Sequence, residues 1–285
     1  MARIRSFEGL TCLVTGASSG IGREIALDLA RRKARLLVTA RRAERLEALC
    51  AELRAAGAPS AQAFVADLAQ AAEVQRLLRE VQALGGVDVL VNNAGFGVPG
   101  LFPRSDLARS LEMVRVNVDA PLVLAHALLP GMLARGRGGI LNVASVAGFV
   151  ASPLQSAYGG TKGFLRVWSH SLHAELKHAE VAVTCLCPGV TDTEFFSTAG
   201  FTDMSGFLRW RASAAAVARA GVEGLARGRM QVIPGLSNKL LMFAGRLTSA
   251  RFAAMVARFL LLGRARGLRS RRAEAEAGAG PVEGA

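Results

Sequence analysis

With 285 residues, 51% of them apolar and 31 of them glycine, the chain is long enough to bury a sizeable core, which excludes a disordered polymer. A formal net charge of +13 suggests nucleic-acid binding, but residues 225–273 alone carry eleven Lys or Arg and no Asp or Glu. The remainder is close to neutral, so the charge belongs to one segment and not to the folded body.

Taken in order, residues 10–15 form a short apolar run that predicts a buried strand. The turn Gly16-Ala17-Ser18-Ser19-Gly20-Ile21-Gly22 follows, and then a helical stretch to Arg32. Residues 35–39 predict a second strand, 43–56 a helix, and 63–65 a third strand closing on Asp67. Further strands are predicted at 88–92, 139–143, 181–187 and 231–233, most of them preceded by a helical pattern. Strands alternating with helices of this length imply βαβ units. The expected fold is a single doubly wound α/β domain of the Rossmann type, with a mainly parallel seven-stranded sheet over residues 1–238.

Residues 239–285 read as an apolar and basic extension. The run 240–262 is apolar but interrupted by Arg246, Arg251 and Arg258, which argues against a bilayer span. Three roles stay open for it: a surface helix, a helix packed on an oligomer partner, or an interfacial helix in peripheral contact with a membrane. The last dozen residues, rich in Ala, Gly and Glu, are expected to be disordered. Cys12, Cys50, Cys185 and Cys187 follow no zinc-ribbon spacing, and the last two would share one face of a strand. Buried free thiols and the lack of a secretory leader predict a reducing, cytoplasmic setting.

Gly16, Gly20 and Gly22 lie between a strand and a helix. Missing Cβ atoms there permit a tight turn and close backbone approach, and the helix N-terminus offers free N–H groups to a pyrophosphate. Ser18 and Ser19 add hydroxyls, and Ile21 opens the helix. At the end of the second strand a carboxylate would bind the ribose hydroxyls of NAD. Here Arg41 and Arg42 stand instead and no acid precedes Glu44. Arginines can bind a 2′-phosphate, so NADP(H) is the expected cofactor. The plainer alternative is that both merely solvate the start of a helix.

Tyr158 is the sole tyrosine, and Lys162 stands four residues on in a helical segment expected to run to about His178, which places both on one face. An ammonium beside a phenol favours the phenolate. Ser145 follows a strand end, where parallel sheets place their ligand crevice. Asn117, between Val116 and Val118, is either a satisfied core amide or the holder of a water beside the lysine.

Together these motifs resemble the classical short-chain dehydrogenase/reductase family over about residues 8–235. The ordered set is residues 15–22, Asp67-Leu68, Asn92-Asn93-Ala94-Gly95, Asn117, Ser145, Tyr158 to Lys162, and Pro188-Gly189 followed by Thr193. The resemblance implies a catalytic tetrad of Asn117, Ser145, Tyr158 and Lys162. It places Asp67 and Leu68 near the adenine, and Asn93, Ala94 and Gly95 beside the central strand and the adenosine. Pro188, Gly189, Val190 and Thr193 would frame the nicotinamide, while Tyr158 and Lys162 also touch the cofactor. Where the family often has Ala-Ser before the lysine, this chain has Gly160-Thr161, and Thr191 replaces a common Val. The implied reaction interconverts a carbonyl and an alcohol without a metal.

Three segments are candidates for substrate choice: residues 96–102, 148–155 and 194–210. The last contains Phe195, Phe196, Phe201, Phe207, Leu208 and Trp210, which suggests a lid over a lipophilic substrate, or else simple packing. His126, His170, His173 and His178 form no ligand set. A homo-oligomer is expected through the helical regions holding Asn117 and Tyr158. Nucleic acid is disfavoured as a partner because the basic stretch lacks interleaved aromatics. The rival to an enzyme is a nonenzymatic NADP(H)-sensing or scaffold protein on the same fold.

Overall fold

The computed structural model describes residues 2–194 and 212–249, and positions 251–252, 254–256 and 258–259 beyond them. Its centre is a seven-stranded sheet in the order β3-β2-β1-β4-β5-β6-β9, with every pairing parallel. The strands are β1 (Thr11–Thr15), β2 (Arg35–Ala40), β3 (Ala61–Val65), β4 (Val89–Asn92), β5 (Gly138–Val143), β6 (Val181–Leu186) and β9 (Gln231–Val232). A separate two-stranded pair, β7 (Thr191–Asp192) with β8 (Ala212–Ser213), has no counterpart in the sequence reading.

Strands covered on both faces should be apolar throughout, and every residue of β5 and β6 is buried. Alternation along the strands divides the core in two. Cys12, Val14, Leu36 and Val38 face helices α1 (Gly20–Arg31), α2 (Ala43–Ala55) and α7 (Ala214–Ala226), meeting Ile25, Leu46 and Val217. Leu13, Leu37, Leu90 and Ile140 face α3 (Ala71–Ala83) and α5 (Ala120–Ala134), meeting Leu77, Leu124 and Met132. The run Leu107–Ala134, which joins α4 (Leu107–Val114) to α5, is long and apolar enough to cross a membrane, yet Leu124, Leu128 and Met132 lie in this core.

The predicted elements are all present, with ends shifted by one to three residues. The helix bearing Tyr158, α6 (Ser156–Glu175), stops short of His178. Between α4 and α5 the helix widens into a π turn at Arg115–Asp119, a feature that no periodicity count reveals. Helix α8 (Leu236–Leu247) runs across position 238, where the sequence suggested a boundary, and Leu236 and Leu240 on it are exposed.

A buried polar chain fixes α6 to the sheet. Asn92 Nδ2 donates to Asn142 Oδ1 at 2.9 Å, Asn142 Nδ2 to Ser169 Oγ at 2.9 Å, and Ser169 Oγ to Leu165 O at 2.5 Å. Asn142 is wholly buried, so Asn142→Ala strands the Asn92 Nδ2 donor and takes from Ser169 Oγ the N–H it accepts, leaving that hydroxyl only its bond to Leu165 O. The expected loss is about 2–4 kcal/mol, seen as a lower urea midpoint at unchanged slope. A midpoint equal to wild type would show that the chain is not needed to hold α6.

Candidate active site

The strand order reverses between β1 and β4, and parallel sheets bind ligands in the crevice at such a point. Thr15 and Asn93 tie the two strand ends together. Thr15 Oγ1 donates to Val91 O at 3.2 Å and accepts from Asn93 N and Ala94 N, both at 3.0 Å. Asn93 Nδ2 donates to Thr15 O at 2.9 Å and to Gly16 O at 3.2 Å. This closeness explains the glycines. Gly16 has φ of +65°, and a Cβ on it would lie 2.7 Å from Ala94 Cα, while one on Gly22 would lie 2.2 Å from Asn93 Nδ2.

The turn leads into α1, whose N-terminus has no side-chain cap and no acid in its first turn. Its N–H groups are therefore available to an anion. Arg42 adds charge: its Nη2 donates to Ser18 Oγ at 2.9 Å and Ser19 Oγ at 3.0 Å. Arg41 goes elsewhere and pairs with Glu112 on α4 at 3.5 Å. The two arginines that the sequence presents as a pair thus separate, and Arg45, one turn along α2, accompanies Arg42 instead. Both meet the Glu194 carboxylate, at 3.0 Å from Arg42 Nη1 and 2.7 Å from Arg45 Nη1. Free amides, serine hydroxyls and a cation at the end of β2 fit the phosphates of a dinucleotide.

Across the crevice, Ser145 follows β5 and Tyr158 sits in the first turn of α6. Ser145 Oγ accepts from Ala147 N at 3.1 Å and shares a hydrogen bond with the Tyr158 phenol. Lys162 is buried, donates from Nζ to Val143 O at 2.8 Å, and lies 5.9 Å from the Tyr158 ring centroid. The expectation that the ammonium would make the phenol more acidic is not met: burial pushes the phenol up to about 12, with the Ser145 hydrogen bond opposing it. Burial also takes Lys162 down to about 8, opposed by Cys185 and Cys187. Those two thiols are free and buried, with sulfurs 3.5 Å apart, Cys185 in β6 and Cys187 just past its end.

Asn117 projects from the π turn. Its Oδ1 accepts from Phe96 N at 3.1 Å, and its Nδ2 donates to Phe96 O and to Thr161 Oγ1, each at 3.0 Å. Thr161 Oγ1 in turn donates to Tyr158 O at 2.8 Å. The departure Gly160-Thr161 thus provides a link between Asn117 and the Tyr158 helix. A Cβ on Gly95 would lie 2.9 Å from Asn117 Oδ1 and 3.3 Å from Lys162 Nζ, so both polar groups border the same spot.

The profile of the family described as short chain dehydrogenase matches residues 10–202. The chain belongs to the short-chain dehydrogenase family. It is 38% identical over 192 residues to an uncharacterized oxidoreductase of Myxococcus xanthus, covering 67% of this chain and 76% of that protein. It is 35% identical over 184 residues to a very-long-chain 3-oxoacyl-CoA reductase of Phaeosphaeria nodorum, covering 62% of this chain and 54% of the relative. Several other curated relatives are likewise spanned over less than two thirds of their length. Among solved structures, a short-chain dehydrogenase from Sphingobium yanoikuyae in complex with NADPH superposes with a TM-score of 0.75 at 31% identity, covering 92% of this chain and 95% of that one. A short-chain dehydrogenase/reductase from Burkholderia phymatum in complex with NAD gives 0.75 at 25% identity, over 84% and 93% of the two chains. Both nicotinamide cofactors therefore occur among its structural neighbours.

In this short-chain dehydrogenase, two of the three predicted substrate segments meet. Gly100 N donates to Leu154 O at 2.8 Å, and Leu154 holds a φ of +66°, costly for a branched side chain. Leu101 and Phe102 are exposed beside them. The third segment and its aromatic residues fall outside the described residues apart from Glu194. Asp67 Oδ1 accepts from Ala69 N at 3.0 Å, and Leu68 is buried beneath it. Pro188 O accepts from Val146 N at 3.0 Å, Val190 O accepts from Ala212 N at 3.1 Å, and Gly189 packs on Asn238. Among the described residues no three His, Cys, Asp or Glu side chains gather as a metal site. Arg45 is the site residue that sequence reading passes over, whereas Thr15, Thr161 and Glu194 stand in the motifs and segments it singles out, without the contacts found here. Arg45, three positions from Arg42 at the start of a helix, was open to detection by spacing.

Proposed function

We propose that this short-chain dehydrogenase is an NADP(H)-dependent oxidoreductase that interconverts a lipophilic carbonyl compound and its alcohol. The observation that carries the reading is a buried phenol hydrogen-bonded to a serine, with a buried lysine in the same helix, beside a crevice whose far wall presents Ser18, Ser19 and Arg42. Bound NADPH supplies a hydride from its nicotinamide. Tyr158 gives the proton to the carbonyl oxygen, and Ser145 orients that oxygen as charge develops on it. A phenol held protonated at neutral pH suits reduction. Lys162 stabilises the phenolate left behind and holds the nicotinamide ribose, while Asn117 fixes the wall next to Lys162.

Gly16, Ser18, Ser19, Gly20, Ile21 and Gly22 receive the pyrophosphate, and Arg42 receives the 2′-phosphate. Asp67, Leu68, Asn93, Ala94 and Gly95 lie along the adenosine, and Pro188, Gly189, Val190 and Thr193 along the nicotinamide. Arg41, paired with Glu112 through an exposed contact, adds positive charge beside that 2′-phosphate. The exposed Leu101 and Phe102 support a lipophilic substrate, as does the likeness to a reductase of long acyl chains.

The wild-type chain is expected to oxidise NADPH in the presence of bulky apolar ketones. Arg42→Ala should raise the KM for NADPH about tenfold or more and leave that for NADH within about twofold, as loss of a charge-assisted contact to phosphate implies. Tight cofactor binding without turnover across a chemically diverse ketone panel would return the protein to the sensing or scaffold reading. An equal effect of Arg42→Ala on both cofactors would refute the phosphate assignment.

A further inference from the structure

We propose that Glu194 competes with the cofactor's 2′-phosphate for Arg42 and Arg45, so that this carboxylate limits how tightly NADP(H) is held while leaving NAD(H) untouched. The inference rests on the NADP(H) reading above and adds to it a second phosphate-binding arginine and an internal competitor.

The geometry is specific. Glu194 Oε2 lies 3.0 Å from Arg42 Nη1 and 3.0 Å from Arg45 Nη1, and Oε1 lies 2.7 Å from Arg45 Nη1. The remaining nitrogens of Arg42 donate to Ser18 and Ser19, Nε at 3.3 Å and Nη2 at 2.9 and 3.0 Å. One guanidinium therefore links the serines of the phosphate turn to a carboxylate contributed from about 150 positions later in the chain. The residue before Glu194 also lies on that turn: a Cβ on Gly20 would sit 3.0 Å from Thr193 Cγ2. Ser18, Ser19, Arg45, Asp192, Thr193 and Glu194 line one cleft.

An anion bound by Arg42 and the two serines must face Glu194, and two anions cannot both be saturated by the same pair of guanidiniums. All three side chains are more than 40% exposed, so the existing ion pairs are of the weak surface kind that a dianion can displace. A 2′-phosphate carries about two charges and three strong acceptors against the single charge of a carboxylate. It therefore takes over Arg42 and Arg45 and frees Glu194. A ribose 2′-hydroxyl carries no charge, so NAD(H) makes no such demand and the ion pairs persist. Arg45 accordingly joins Arg42 as a 2′-phosphate ligand, one turn along α2.

The test is isothermal titration of the full chain with NADP+, NAD+ and 2′,5′-ADP at low and moderate salt. Glu194→Gln keeps the shape and removes the charge. It is expected to tighten NADP+ and 2′,5′-ADP about fivefold at low salt and to leave NAD+ within about twofold, the gain shrinking as salt rises. Arg45→Ala should weaken NADP+ severalfold, and in that background Glu194→Gln should still tighten NADP+, by less than it does in wild type, because the carboxylate keeps only its pairing with Arg42. Unchanged NADP+ affinity in Glu194→Gln, or an equal shift for NAD+, would overturn the proposal. If wild type also discriminates between the cofactors and Arg42→Ala abolishes that discrimination, the failure is confined to Glu194. If wild type binds both cofactors alike, the NADP(H) reading falls and this inference with it.

Discussion

Tyr158→Phe is expected to lower kcat for ketone reduction about a thousandfold, within the range for removal of a positioned general acid. The phenol is the only one in the chain, so no neighbouring tyrosine can take its place. Its partner Ser145 is already engaged with Ala147 N, and a serine hydroxyl is far too weak an acid to substitute. NADP+ affinity should stay within about threefold, since the pyrophosphate and 2′-phosphate sites lie on the β1 and β2 side of the crevice. The substitution removes one hydrogen bond and no volume that would open a cavity, so the melting temperature should change little. Stopped-flow NADPH oxidation with titrated cofactor affinity separates these effects. A rate within tenfold of wild type would remove Tyr158 from the chemistry.

Lys162→Met separates catalysis from stability. Turnover is expected to fall about a thousandfold, because the phenolate left after proton transfer loses its nearby cation. Stability should hold or rise. Burial lowers the lysine from its ordinary 10.5 to about 8, which corresponds to about 3 kcal/mol working against the folded state wherever both states are charged. The sign follows from a base with a depressed folded value. The destabilisation is fully present below about pH 8 and fades as pH rises from there toward 10.5, where the unfolded lysine also loses its proton. Methionine fills similar volume with no charge to bury, though it leaves Val143 O without its donor. Wild-type reduction should also slow as pH passes about 8 and the ammonium is lost, and the residual rate of the variant should lack that limb. A variant that loses activity only because it unfolds would contradict this account.

The fold was legible because the strands are short, apolar and separated by amphipathic helices, and seven parallel strands satisfy both patterns. Boundaries slipped where polar residues end an element: Asp88, expected to begin β4, instead accepts from Thr11 N at 3.0 Å and pairs with Arg135 and Arg137. The π turn at Asn117 escaped because hydrophobic spacing is almost unchanged by one extra residue. The site was legible as an ordered set of motifs, whereas its electrostatics were not. Spacing places Lys162 beside Tyr158, but only the fold shows that both are buried and that desolvation dominates the shift of each. Likewise Arg41 and Arg42 are equivalent on paper, and the end of β2 sends one to α4 and the other to the phosphate turn. Glu194 could not be found locally, since its partners lie some 150 positions earlier.

The most direct test is a crystal structure with NADP+ and an apolar alcohol or ketone analogue bound. The account predicts that the substrate oxygen lies within hydrogen-bonding distance of both Tyr158 Oη and Ser145 Oγ, with its carbon facing nicotinamide C4. A ternary complex in which Tyr158 Oη points into packed protein, remote from C4, would contradict it.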